Sequence, residues 1–439
     1  MGKFRKISPP QLLILVFAIF ISLGTILLKL PFATTESISW INALFTATSA
    51  MTVTGLVVVD TGSAFTMFGE LVIALLIQLG GLGIMTFAVI ITIVLGKRIG
   101  IKERLLIRQA LNQDSLGGIV RLVKYLFVFS VTIELIAMIF LSIRWIPELG
   151  WGRGIYYSFF HAISGFNNAG FALWSDSLMG YVGDPIVNLV ITLLFIIGGI
   201  GFTVLSDLWV NKKFKKLSLH TKMMLVGTLL LNTIAMLLIF ILEYSNPNTL
   251  GSLATMGDKL WASYFQALTP RTAGFNTLDI ASLQESTIFL ILLLMFIGAG
   301  TASTGGGIKL TTFMVMVFSV ITFLRGRQEI VIGRRSITKS VILRSLAITM
   351  LGFSFVFLGV FILTISEDAP FIVILFEVIS AFGTVGLSMG LTGSLTFLGK
   401  FVIILIMFLG KVGPLTLVFS IAKPVKAKIR YPSDDIYTG

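Results

Sequence analysis

LFTATSAMTVTGL (residues 44–56) is the stretch that decides the fold, because it returns as FFHAISGFNNAGF (159–171), YFQALTPRTAGFN (264–276) and LFEVISAFGTVGL (375–387). Each belongs to an apolar, helix-forming segment of about 15 residues, too short to cross a hydrocarbon core about 30 Å thick. Each runs into a glycine, Gly55, Gly170, Gly274 or Gly386, beyond which the chain reads as extended. Non-helical backbone at membrane depth is tolerated only where protein buries it or where it lines a watery path. Four such loops around one axis make that path.

Working outward, a glycine cluster follows each loop: Leu79-Gly80-Gly81-Leu82-Gly83, Ile197-Gly198-Gly199-Ile200-Gly201, Ile297-Gly298-Ala299-Gly300 and Leu409-Gly410-Lys411-Val412-Gly413. Its first glycine lies 24 to 28 residues after the loop glycine. The unit is helix, pore helix, loop, helix, four times. It divides the chain into residues 1–100 with pore loop 52–56, 101–217 with pore loop 167–171, 218–330 with pore loop 271–275 and an intramembrane loop at 299–309, and 331–439 with pore loop 383–387 and a short tail.

Composition places these units in a bilayer. Hydrophobic residues make up 56% of the 439 and charged residues 12%, against roughly 25% charged in a soluble domain. Apolar runs near 11–30, 70–95, 125–146, 186–210, 223–243, 286–324 (interrupted), 341–365 and 399–422 predict eight spans. The first, Leu12 to Leu28, is long for a signal peptide and no small-residue cleavage site follows it. The net charge of +13 is sorted by side. One side collects Lys3, Arg5, Lys6, Lys97, Arg98, Lys102, Arg104, Arg108, Arg121, Lys124, Lys212, Lys213, Lys215, Lys216, Lys222, Arg325, Arg327, Arg334, Arg335, Lys339, Arg344, Lys423, Lys426, Lys428 and Arg430. The other has only Lys29, Arg144, Arg153, Lys259 and Lys400. The positive-inside rule makes the first side cytoplasmic, with both termini there, in a multi-pass cell-membrane protein. Such sorting explains the charge by lipid surroundings and leaves no case for nucleic acid. The outer side is acidic, with Glu36, Asp60, Glu70, Glu148, Asp176, Asp184, Asp258, Asp279, Glu285, Glu367 and Asp368, a sign that concentrates cations. All four units share one charge orientation, so they are parallel repeats about an axis normal to the membrane.

The loops, the four helix–pore-helix–helix units and the interrupted sixth span resemble the Trk/Ktr/HKT superfamily of potassium transporters, and within it the Ktr pore subunit; the resemblance covers nearly the whole chain. It implies an all-α membrane fold like four potassium-channel subunits fused into one chain. It also implies a homodimer with a cytosolic nucleotide-binding ring as regulatory partner. The cargo implied is K+, with Na+ as a coupling or activating ion in a symport reading; a sodium-permeable or sodium-coupled cation transporter of the same architecture is the alternative. A serine at the first loop glycine goes with sodium transport in the plant branch, whereas Gly55 resembles the potassium form.

Potassium conduction needs oxygen ligands in place of the hydration shell, and backbone carbonyls supply them. Glycine allows the angles that turn such carbonyls inward and leaves the axis free of side chain. The ion-binding candidates are therefore Val53, Thr54 and Gly55; Asn168, Ala169 and Gly170; Thr272, Ala273 and Gly274; and Thr384, Val385 and Gly386. One such glycine would read as a helix terminator; four in equivalent places read as a filter. Only Gly383-Thr384-Val385-Gly386 approaches the TVG core of channel filters. Asp60, Asp176 and Asp279 follow their glycines by five or six residues, as an outer vestibule ring or as ordinary loop acids; the fourth repeat has Leu391. Arg271 should point away from a cation path, and pairing with Glu377 on the neighbouring pore helix is expected, because an unpaired buried charge is costly.

Residues 298–309, GAGTASTGGGIK, interrupt the sixth span with small and glycine residues, through which no helix should persist. A Walker A reading fails because Gly306 stands where lysine is required. The segment is a packing kink or, as the resemblance implies, a gate beneath the filter made of Ala299, Gly300, Thr301, Ala302, Ser303, Thr304, Gly305, Gly306 and Gly307, with Thr301, Ser303, Thr304 and Lys309 as polar anchors. Lys411 lies about 18 Å of helix from Lys423, too far inside to reach the surface with ease. Intramembrane charge is by default functional; the resemblance implies a cation in the cavity below the filter that helps hold the gate closed, and a packing or lipid-facing lysine is the alternative.

Other chemistries start badly. With no cysteine and two isolated histidines, His161 and His220, no thiolate or HExxH metal site exists. No acid–base or nucleophile constellation marks an intramembrane enzyme, no inverted repeats mark a solute carrier, and no organic cofactor is expected.

Overall fold

Helix ends here are set by small polar caps and by glycine. Ser39 accepts from the Asn42 amide to start pore helix Trp40–Thr52, and Thr255 accepts from the Asp258 amide to start pore helix Met256–Leu268. Pro370 precedes pore helix Phe371–Gly383. In the second repeat the outer and pore helices run as one element, Ile119–Phe166, turned at Gly150 (φ 78°) three residues after Pro147. The structure, a computed structural model, describes residues 9–83, 119–421 and 432. The basic positions Lys3, Arg5, Lys6, Lys97, Arg98, Lys102, Arg104, Arg108, Lys423, Lys426, Lys428 and Arg430 lie outside the described residues, as do the end of the 70–95 run and the tail apart from Pro432.

Apart from the two-residue strands Val331–Ile332 and Arg335–Ser336, the described elements are helices. Each repeat places an outer helix, a pore helix and an inner helix in turn. Four buried clusters hold the repeats together, one at each junction. Phe17, Met51 and Ile77 pack with Phe160 and Phe171 between repeats 1 and 2. Trp145, Phe166 and Phe195 pack with Phe265 and Phe275 between repeats 2 and 3. Ile291 and Met295 pack with Phe376 and Val385 between repeats 3 and 4, and Phe382 and Met407 with Phe45 and Leu56 between repeats 4 and 1. The fourth junction closes the circle. On the outside, Leu15, Ile19, Leu23 and Ile26 form one exposed apolar stripe, as do Phe353, Phe357 and Phe361, the surface a helix offers to lipid.

Hydropathy predicts eight spans, the sixth of them interrupted. Four described helices are long and apolar enough to cross, Pro10–Leu28, Val123–Phe166, Leu219–Glu243 and Lys339–Ser366, or five if one bent pair counts as a span. The inner helices are shorter: Met67–Leu82, Pro185–Ile200, Glu285–Phe296 and Phe397–Val412. Three of them stop at the last glycine of their cluster, Gly83 (φ 82°), Gly201 (φ 103°) and Gly413 (φ 89°), in backbone that side chains disfavour. At Gly201 the chain bends by 92° into Phe202–Val210. The first glycine of each of these clusters does a different task. A Cβ at Gly80, Gly198 or Gly410 would lie 2.0, 1.9 or 2.1 Å from the carbonyl oxygen of Met51, Phe166 or Phe382, at the end of its own repeat's pore helix.

The outer acids are also less free than their sequence positions suggest. Glu70 is buried and accepts from the Tyr156 hydroxyl (2.6 Å). Glu367 is buried and accepts from the Thr396 amide (2.9 Å) and hydroxyl (2.6 Å). Asp184 caps Pro185–Ile200 and pairs with Arg144.

Candidate functional site

The four loops converge. Each carries a residue with left-handed backbone two places before its glycine: Val53 (φ 51°) before Gly55 (φ 90°), Asn168 (58°) before Gly170 (69°), Thr272 (68°) before Gly274 (79°) and Thr384 (50°) before Gly386 (94°). Three of the four are β-branched, residue types that rarely accept this geometry. The same strained turn in every repeat is the kind of outlier that marks a functional site.

The glycines meet their neighbours' carbonyls in a closed order. A Cβ on Gly55 would lie 2.4 Å from Ala169 O, one on Gly170 3.0 Å from Ala273 O, one on Gly274 2.3 Å from Val385 O and one on Gly386 2.3 Å from Thr54 O. Repeat 1 thus faces 2, 2 faces 3, 3 faces 4 and 4 faces 1. Thr54, Ala169, Ala273 and Val385 present oxygens where the glycines leave space, and the pore helices direct their C-terminal, negative ends toward the loops. Such a ring can hold a dehydrated cation without a carboxylate.

A hydroxyl behind every loop was missed in the sequence. Ser49 and Ser380 accept from the amides of Gly55 and Gly386 (both 3.1 Å), while Ser164 (2.8 Å) and Thr269 (2.5 Å) donate to the carbonyls of Phe171 and Phe275. These residues occupy the sixth place of each quoted stretch, and a buried phenylalanine, Phe45, Phe160, Phe265 or Phe376, the second. That column was the available signal. His161 serves the second loop similarly: its Nδ1 lies 2.8 Å from Tyr157 O and its Nε2 accepts from the Leu173 amide at 3.3 Å.

Beneath the ring, residues 297–309 fold back on themselves. Ile297 and Ile308 form a parallel bridge, and the Gly298 amide donates to Ile308 O (2.8 Å). The loop reaches three repeats. Thr304 Oγ1 donates to Asn168 Oδ1 (2.8 Å), Asn168 Nδ2 donates to Thr272 Oγ1 (3.3 Å), and the Gly306 amide donates to Thr384 Oγ1 (2.8 Å). The Gly300 and Thr304 amides donate to the carbonyls of Gly199 and Gly198, and Ala302 O accepts from the Phe202 amide at the Gly201 bend. Gly305 and Gly306 leave no room for side chains, since a Cβ would meet Thr272 Oγ1 at 2.2 Å or Thr384 Oγ1 at 2.5 Å. Two lysines clasp the loop: Lys309 Nζ donates to Gly305 O (2.6 Å) and Gly306 O (3.3 Å), and Lys411 Nζ to Thr304 O. Thr301 pairs with Thr311 (3.2 Å). Ser303 is a correction, because its buried hydroxyl has no hydrogen-bond partner among the described residues.

Arg271 is a second correction. Its guanidinium donates to Asn232 Oδ1 (3.2 Å) on its own repeat's outer helix, and it lines a small cavity with Thr228, Phe195 and Ala299. Glu377 is instead satisfied by the hydroxyls of Ser388 and Thr392 beyond its own loop. Among the vestibule acids, Asp60 accepts from Ser63 and Asp279 from Ala281 and Ser282 as local caps, and Asp176 is exposed.

Residues 9–431 match the family model described as TrkH, cation transport protein. The chain belongs to this family. It is 62% identical over 437 residues to the Ktr system potassium uptake protein B of Bacillus subtilis, covering 100% of this chain and 98% of that one. It is 37% identical over 444 residues to the potassium/sodium uptake protein NtpJ of Enterococcus hirae, covering 99% and 98%. Its fold is similar to the crystal structure of the potassium transporter TrkH from Vibrio parahaemolyticus, with TM-score 0.76 at 20% identity over 96% of this chain and 87% of that one. The family accounts for an integral membrane protein built for transport.

Proposed function

We propose that the chain takes up potassium ions through the ring of loop carbonyls, with residues 299–309 and Lys411 as its gate. The observation that carries this is the closed order in which each loop glycine faces a carbonyl of the next repeat. Oxygens fixed by strained turns, with hydroxyls bracing them from behind, replace a hydration shell at little reorganisation cost. Similarity to a potassium uptake protein over the whole chain supports the same ion. The printed name of the Enterococcus relative, a potassium/sodium uptake protein, favours a second reading in which sodium is co-transported or activating.

Regulation by a cytosolic nucleotide-binding subunit, and assembly as a homodimer in the cell membrane with both termini inside, complete the proposal. The word "system" in the relative's name supports a partner. Flux of K+, Rb+ and Na+ into proteoliposomes, with and without such a subunit, tests it. Potassium and rubidium are expected to exceed sodium, with nucleotide sensitivity only when the partner is present. Equal flux of all three ions, or a nucleotide response from this polypeptide alone, contradicts the proposal.

A further inference from the structure

One buried carboxylate serves none of the roles above. Glu134 sits midway along the outer helix of repeat 2, the one residue of charged type between Tyr125 and Ile143, and is 8% exposed. No lysine or arginine pairs with it among the described residues. Both of its oxygens accept from Gln78 Nε2, at 3.0 and 3.1 Å. That contact orients the amide, so Gln78 Oε1 is turned to accept from Asn167 Nδ2 at 2.5 Å. Asn167 precedes Asn168, the left-handed corner of the second loop, and its side chain fills the space left by Gly81.

The chain of contacts is peculiar to this junction. Gln78 immediately precedes its glycine cluster, and the corresponding places hold Ile196, Phe296 and Phe408. A glutamine inside a bilayer where the other repeats place apolar residues, with a buried glutamate against it, needs a compensating use. Beyond Asn167 the contacts continue through Asn168 to Thr272 and Thr304. Ala169, whose oxygen faces Gly55, follows directly.

We infer that Glu134 is a positioning residue for ion selectivity: through Gln78 it fixes Asn167, and so the height of the Ala169 carbonyl in the ring. This rests on the ring being the filter. A merely structural carboxylate would behave differently, since replacing a buried charge with a well-packed apolar group tends to keep or raise stability.

The test measures the Rb+/Na+ uptake ratio and detergent melting temperature of E134L, Q78L, the double variant and E134Q, with G170S as control. In E134L and Q78L the ratio is expected to fall by about fivefold, the worth of one ordinary hydrogen bond. The double variant removes Glu134 together with its donor, leaves Asn167 Nδ2 its bond to Ile163 O, and should be no worse than either single one. E134Q keeps one acceptor oxygen and should stay near the parent. A parental ratio in folded E134L or in the double variant overturns the inference, as does loss of folding in both. If either single variant fails to fold, the double variant decides. An altered ratio in G170S with none in the double variant removes only this inference, whereas unchanged ratios in all of them remove the filter as well.

Discussion

Replacing Lys411 with alanine removes the ammonium that holds Thr304 O from the inner helix of repeat 4. A hydrogen bond from a charged donor is worth about 1.5–3 kcal/mol. Its loss shifts the balance between seated and unseated loop by about 10- to 100-fold. The other anchors persist, namely Lys309 on Gly305 and Gly306, Thr304 on Asn168, and Gly306 on Thr384. The loop therefore loosens without vanishing, and under the proposed function a positive charge leaves the path of a permeating cation. Rubidium influx into proteoliposomes without a partner should rise by about tenfold, the lower end of that range, with K411M behaving alike because it keeps the stem and lacks the charge. Unchanged influx in both variants, at parental monodispersity and melting temperature, refutes the clasp; a folded but silent K411A assigns the lysine a conducting role.

Gly55→Ser and Gly386→Ser place a Cβ where only 2.4 and 2.3 Å separate it from Ala169 O and Thr54 O; the ring must spread, and the K+/Na+ flux ratio should fall by about tenfold, or about 1.4 kcal/mol. Deleting Thr301–Gly306 should raise flux above the parent and abolish dependence on a partner; a monodisperse deletion with ordinary regulated flux removes the gate. Gly410→Ala forces a Cβ to 2.1 Å from Phe382 O and should destabilise the chain by about 1–3 kcal/mol in a detergent melt, while Gly393→Ala, with open space around it, should not. Equal melting of the two would dissociate the glycine clusters from pore-helix packing.

The repeats were legible because four loops of one shape require glycine at one place, and residues 298–309 because five glycines in twelve positions, three of them consecutive, work against a helix. The inner-helix breaks were not, since Gly83, Gly201 and Gly413 lie within apolar runs whose hydropathy continues past them, and only the positive φ reveals the stop. The partner of Arg271 was misjudged for a related reason. Charge alone selects Glu377, but a carboxylate supplied with two hydroxyls does not need a guanidinium, and Asn232 lies on the nearer helix. Glu134 was overlooked because one acid barely lowers the hydropathy of its run, and its link to the loop passes through Gln78 in a different repeat.

The central claim, that carbonyls from four loops form one cation site, is tested most directly by anomalous scattering from crystals grown in rubidium in place of potassium. A peak is expected among the oxygens of Thr54, Ala169, Ala273 and Val385, near Gly55, Gly170, Gly274 and Gly386. It should weaken when sodium competes. Rubidium bound elsewhere with this ring empty, in protein that still transports rubidium in liposomes, contradicts the claim.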